Sequence, residues 1–172
     1  MVDNMLQSNL NLLVFNNTPS GLPVDQTIEI VGRKSLLINE QVKIKPRILV
    51  AEDNNINQLV LSKHLKSLGF DFDIAEDGQE ALSLWLKGGY TLVISDVNMP
   101  KMNGYILTLA IRDAEASNKL PHIPVIAYTS SSLPGEEERC KAAGMDDYLL
   151  KPTQLSSLKA ILAKWMECEL PA

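Results

Sequence analysis

Asp96 ends the run Leu92-Val93-Ile94-Ser95 and is followed at once by Val97-Asn98-Met99-Pro100-Lys101-Met102-Asn103-Gly104, a stretch containing Pro and Gly. A short apolar run bounded by turn residues reads as a strand buried on both faces of a parallel sheet. Asp96 then stands at the strand tip, on the edge where such sheets bind ligands. Four other groups fall at equivalent places: Glu52 and Asp53 after residues 48–51, Thr129 after 124–128, and Lys151 after 147–150. In a doubly wound sheet of order 2-1-3-4-5 the first and third strands are neighbours, so the three carboxylates crowd together. Two like charges ~4 Å apart repel by about 4 kcal/mol at an effective dielectric of ~20, so the trio needs a metal or a lysine between its members. Hard oxygen ligands with open positions favour Mg2+.

A carboxylate is a poor nucleophile in water, but with its charge neutralised nearby it can attack electrophilic phosphorus and form an acyl phosphate. Asp96 is the expected phosphoacceptor. Mg2+ on Asp53, Asp96 and the backbone carbonyl of Asn98, with Glu52 acting mainly through bound water, would stabilise the transferring oxygens; Lys151 would take another. The Thr129 hydroxyl can bond the product phosphoryl without being engaged beforehand, which suits it to sensing the modification. A lone strand-end aspartate is more often a cap or turn residue. Five groups on one edge are a different matter.

To bring those groups together the chain must alternate strands and helices, and from Arg47 onward it does. The expected strands are 48–51, 71–75, 92–96, 124–128 and 147–150. Between them, Asn54 or Asn55 caps a helix through Leu68, with Gly69 in the left-handed position that ends it. Ile56, Leu59, Val60, Leu65 and Leu68 fall at three- and four-residue spacings and are read as its buried face, with Lys63 and Lys66 outward. Further helices are expected from Gly78 through Lys87, from Gly104 to Glu115, up to Ala143, and from 155 to 166, leaving a long loop at 116–122. Right-handed crossovers put helices on both faces of a five-stranded parallel sheet, an α/β doubly wound fold. Residues 1–46 lack this pattern; they read as a linker or interdomain segment with short strands, and the regular domain as 47–168.

Composition narrows the function classes. The chain has 172 residues, 45% hydrophobic and 22% charged, enough to bury a full core. A net charge of −5 without a long Lys/Arg run argues against direct nucleic-acid binding. No segment approaches the ~18 consecutive apolar residues of a membrane span, and residues 1–15 lack the basic start of a signal peptide. Cys140 and Cys168 form no metal-spaced set, so a reduced cytoplasmic setting is expected.

The strings ILVAEDNNINQLVLSKHLKSLGF, AEDGQEAL, DVNMPKMNG, PVIAYTS and GMDDYLLKP resemble successive landmarks of the receiver domain of two-component signalling, over residues 47–166. The resemblance implies the flavodoxin-like receiver fold and the strand order 2-1-3-4-5. It implies Glu52 and Asp53 as the acidic pair, Asp96 as the phosphorylated residue, Thr129 and Lys151 as switch hydroxyl and lysine, and Tyr148 as the rotating aromatic. It also implies a phosphohistidine donor, carried by a histidine kinase or a histidine phosphotransfer domain. The E-D-N-x-x-N-Q run, the 116–122 loop and the end of the chain after the fifth helix resemble receivers attached to hybrid sensor histidine kinases; such a domain would sit at the cytoplasmic end of a membrane-anchored kinase. Its enzymology would extend only to its own phosphorylation and dephosphorylation.

Three positions depart from the usual pattern: Ser95 before the acceptor, Ser130 after Thr129, and Thr153 after Lys151-Pro152. None removes a reacting group. Two other classes share the topology. A Mg2+-dependent aspartyl-phosphate phosphatase needs a second carboxylate two residues after the nucleophile as general acid, where this chain has Asn98. A flavodoxin-like FMN carrier needs a phosphate-cradling loop after the first strand, where this chain is acidic.

Overall fold

The computed structural model describes residues 46–130 and 135–166. The segment 1–45, for which a linker with short strands is expected, lies outside the described residues, as do Ser131, Ser132 and Cys168. Five strands and five helices alternate: β1 Arg47–Ala51, α1 Asn55–Ser67, β2 Asp71–Ala75, α2 Gly78–Trp85, β3 Leu92–Asp96, α3 Gly104–Asn118, β4 Val125–Thr129, α4 Glu136–Ala142, β5 Asp147–Leu150 and α5 Leu155–Met166. The sheet is parallel throughout, in the order β2-β1-β3-β4-β5. The expected fold class and strand order are both present.

Side chains alternate across a strand, so each interior strand feeds two cores. Ile48, Val50, Ile94 and Ile126 pack with Leu61 and Leu65 of α1 and Leu158 and Leu162 of α5. Leu49, Val93 and Val125 pack on the other face with Trp85 of α2, Leu107 and Ile111 of α3, and Cys140 of α4. The continuous apolar runs of β1 and β3 are thereby explained: both faces are covered.

The buried face of α1 differs from the expected one. Ile56 and Leu59 are 73% and 55% exposed, and the helix is buried through Leu61, Leu65 and its C-cap Leu68. At 100° per residue the three buried leucines share about 60° of arc, with Ile56 and Leu59 on the opposite side. Spacing alone allowed either stripe, because the helix carries leucine or isoleucine on both. Two boundaries also move. α2 ends at Trp85, and α3 runs on to Asn118, where Lys119 takes a left-handed φ of 53°. The first three residues of the expected 116–122 loop are therefore helix. As expected, Gly69 ends α1 with φ +79°, and Phe70 N donates to Leu65 O at 3.0 Å.

Candidate functional site

The register of β1 against β3 brings the site together. Ala51 pairs with Ser95, so the next residues, Glu52 and Asp96, emerge side by side at the C-terminal edge. Glu52 is fully buried, Asp96 is 5% exposed, and Asp53 faces solvent. One carboxylate oxygen from each of Glu52, Asp53 and Asp96 lies within 4.8 Å of the other two. From the far strand Lys151 reaches back: its Nζ is 2.7 Å from Glu52 Oε2 and 2.7 Å from Asp96 Oδ2, and its side chain is 12% exposed. That ammonium also lies 4.8 Å from the centroid of the Tyr128 ring.

Each side chain is held by identifiable neighbours. Glu52 Oε1 accepts hydrogen bonds from Asn54 N at 3.1 Å and from Asn57 Nδ2 at 3.0 Å. Gln58 Nε2 donates to the Glu52 carbonyl at 2.7 Å. Asn54 caps α1, accepting from the backbone of Ile56 and Asn57. The first turn of α1 therefore clamps the acid that precedes it. Asp96 Oδ1 accepts from the Asn98 amide at 3.0 Å, and Ser95 Oγ donates to the Asp96 carbonyl at 3.0 Å. Gly104 is required here, since a Cβ would collide with that same carbonyl.

Thr129 follows Tyr128, the β4 partner of Asp96, and is 2% exposed. The Lys151 amide donates to the Thr129 carbonyl at 2.8 Å, and the Lys151–Pro152 peptide is cis. Tyr148 lies opposite Ala127 on edge strand β5, 43% exposed, beside Glu137 and Lys141 in a shallow groove. The structure thus gathers Glu52, Asp53, Asp96 and Lys151 at one point. Thr129 sits at the adjacent strand tip, and Tyr148 lies farther back along β5 and outward.

Three carboxylates share one ammonium, so the cluster carries excess negative charge that a divalent cation would balance. All the donors are hard oxygens, and Asp53 is open to solvent, leaving room for waters; this donor set suits Mg2+ better than a soft or nitrogen-preferring metal.

The family model for the response regulator receiver domain matches residues 48–163. The chain belongs to this family. It is 38% identical over 149 residues, 84% of its length, to the hybrid signal transduction histidine kinase I of Dictyostelium discoideum, of which it covers 8%. Across several hybrid and sensor histidine kinases it spans only 6% to 12% of the relative's length. Among solved structures it resembles the receiver domain of the sensor histidine kinase PA1611 from Pseudomonas aeruginosa, crystallised with a magnesium ion in its active-site cleft. Identity is 36%, the TM-score is 0.64, and 72% of this chain and 98% of that one are covered. A chain of the complex between the Saccharomyces cerevisiae phosphotransfer protein Ypd1 and the receiver domain of Ssk1 matches at 30% identity and TM-score 0.66. That match covers 70% of this chain and 88% of the other.

Within this receiver domain, sequence reasoning passed over Asn57 and Gln58 as holders of Glu52. The available signal was a pair of amides in the first turn of a helix that begins three residues after a buried acid. It also passed over the ion pair of Lys101 with Asp77 at 2.5 Å, for which no local signal exists, since 24 residues separate the partners.

Proposed function

We propose that this receiver domain takes a phosphoryl group from a phosphohistidine onto Asp96 and passes the event on as a change of surface. The observation that carries the reading is the ammonium of Lys151, 2.7 Å from both Glu52 and Asp96, in a pocket that Asp53 completes. In the transfer an Asp96 carboxylate oxygen bonds to phosphorus, the phosphorus–nitrogen bond of the donor breaks, and its electron pair returns to the imidazole, which takes a proton. Mg2+ held by Asp53, Asp96 and the Asn98 carbonyl, with Glu52 reaching it through water, would neutralise the phosphoryl oxygens. Lys151 leaves its position between the carboxylates to bond a third oxygen. The Thr129 hydroxyl then bonds the product, and Tyr148 repacks with it, biasing a two-state equilibrium.

The donor is a histidine kinase or a histidine phosphotransfer protein, and the outward pair Ile56 and Leu59 suits its docking. Both lie on α1, which starts two residues after Asp53, so an apolar partner surface seated there brings its histidine to the pocket. The receiver occupies residues 47–168, with 1–46 as an interdomain segment, and works at the cytoplasmic side of its parent protein. Among the described residues no helix is long and apolar enough to cross a membrane.

The deciding test is phosphorylation by a small phosphodonor such as acetyl phosphate in Mg2+, read by intact mass and by hydroxylamine lability. Wild type gains one phosphoryl group and loses it to hydroxylamine; Asp96→Asn gains none. Equal labelling of the variant would move the acceptor elsewhere.

A further inference from the structure

The loop from Val97 to Asn103 carries Asn98, whose carbonyl is assigned above to the cation. Its two ends are tied locally. Val97 N donates to Tyr128 O at 3.3 Å and Gly104 N to Val97 O at 3.1 Å, while Asn103 Oδ1 accepts from Ile106 N at 2.9 Å to cap α3. The middle is tied to a different element, the N-terminus of α2. Gly78 N donates to Met102 O at 3.2 Å, and a Cβ on Gly78 would collide with Met102, so loop and helix start are in backbone contact. Beside that contact Lys101 Nζ meets Asp77 Oδ2.

Two features set this pair apart from an ordinary surface ion pair. Asp77 is 8% exposed, and its other oxygen is already committed as the cap of α2, accepting from Gln79 N and Glu80 N at 2.9 Å each. Its charge is therefore fixed in place by the helix. Lys101, in turn, has φ +60°, a left-handed conformation that a residue with a Cβ adopts at a cost. A non-glycine residue stays there only when its surroundings hold it: across the turn Met102 N donates to Pro100 O at 2.6 Å, and the bond to Asp77 adds the side-chain tie. Asn98 lies three residues back along the same loop.

We propose that the Lys101–Asp77 bridge is a positioning device: it locks the left-handed turn at Lys101 and thereby presents the Asn98 carbonyl to the cation, so that metal affinity depends on two side chains outside the acidic pocket. The inference rests on the Mg2+ reading of Glu52, Asp53 and Asp96. Because Lys101 is 63% exposed, the bridge contributes little to global stability, as exposed pairs generally do. Its effect falls on the loop.

The test is Mg2+ titration calorimetry on the 172-residue chain, comparing wild type with Lys101→Ala, Asp77→Asn, the double variant, Lys101→Arg and Asp53→Asn. Asparagine caps a helix as well as aspartate, so Asp77→Asn removes the charge and keeps α2. Each single bridge variant should bind Mg2+ about tenfold more weakly, the low end for groups that orient metal ligands. The double variant should be no weaker than either single, the signature of one shared interaction. Lys101→Arg should retain wild-type affinity, and melting temperatures should stay close to wild type. Amide resonances of Asn98 and Met99 should move in Lys101→Ala before any metal is added. Unchanged Mg2+ affinity in both single variants, or losses that add in the double, overturns the positioning role. Should Asp53→Asn bind Mg2+ as wild type does, the acidic-pocket reading itself fails, and that result is distinguishable because it does not involve the bridge.

Discussion

Lys151 holds two carboxylates that would otherwise repel one another. Glu52 is fully buried, and the side chain of Asp96 is 7% exposed, so neither can be solvated by bulk water in place of the ammonium. The five groups at the strand tips were legible in the sequence, because a parallel sheet places the residues that end or follow each strand on one edge whatever the helices do. What kept Glu52 in place was not legible: its oxygens are taken by Asn57, by the Asn54 amide and by Lys151. Removing the ammonium leaves buried charge uncompensated, a change that typically costs about 3–5 kcal/mol when the site stays closed. Lys151→Met should therefore unfold at a markedly lower urea midpoint in EDTA. Mg2+ should restore more stability to this variant than it adds to wild type, since the cation replaces the missing positive charge. Equal Mg2+ stabilisation of the two proteins would argue that the ion binds away from Glu52 and Asp96.

At the scale of elements, α1 is where helical spacing misled. Its sequence offers two apolar stripes, and only the neighbouring strands select between them: Ile48, Val50 and Ile94 receive Leu61 and Leu65. Ile56 and Leu59 are left outward, on the helix that begins beside the acidic pocket. Substitutions should separate the two stripes. Leu61→Ala should cost about 2–5 kcal/mol of unfolding free energy, as for other buried leucines, whereas Leu59→Ala should stay within about 0.5 kcal/mol of wild type. The same Leu59→Ala should weaken binding to a histidine phosphotransfer protein by roughly tenfold or more if the outward stripe is a docking face. Urea unfolding and a binding isotherm measure the two effects independently. The extension of α3 to Asn118 has a comparable origin. Buried Glu115, the expected last residue, is held by Arg112 and by the Ile123 amide, and beyond it Asn118 Nδ2 donates to the Ala114 carbonyl at 2.9 Å.

For the whole molecule, acid stability follows from carboxylates that the fold holds ionised. Burial pushes Asp147 up, but hydrogen bonds from Lys164 and Trp165 more than offset it and leave it below the ordinary carboxylate value. Burial likewise pushes Asp73 up, and the Tyr90 hydroxyl and Arg47 bring it down further than that. The Lys101 ammonium, with the amides of α2, also lowers Asp77, but with Lys101 63% exposed that screened pair adds little to the total. A group depressed in the folded state stabilises fully above its unfolded pKa, and that contribution is lost as pH falls through the folded one. Stability should thus decline from the ordinary aspartate value of 3.8 downward. Asp147→Asn should be less stable at pH 7 and should show a shallower acid decline, followed by Trp165 fluorescence in urea at successive pH values. An unaltered slope would mean that the α5 anchor on β5 carries no linked proton. The sequence by itself determined the alternation of strands and helices, the single edge that collects Glu52, Asp53, Asp96, Thr129 and Lys151, and the acidic character of that edge, because periodicity and turn residues act within a few positions along the chain. Tertiary structure alone decided which stripe of α1 is buried and that Lys101 meets Asp77, and it revealed how the first turn of α1 encloses Glu52. Those outcomes depend on which surfaces compete for contact after the sheet has formed, and residues far apart in the chain take part in that competition.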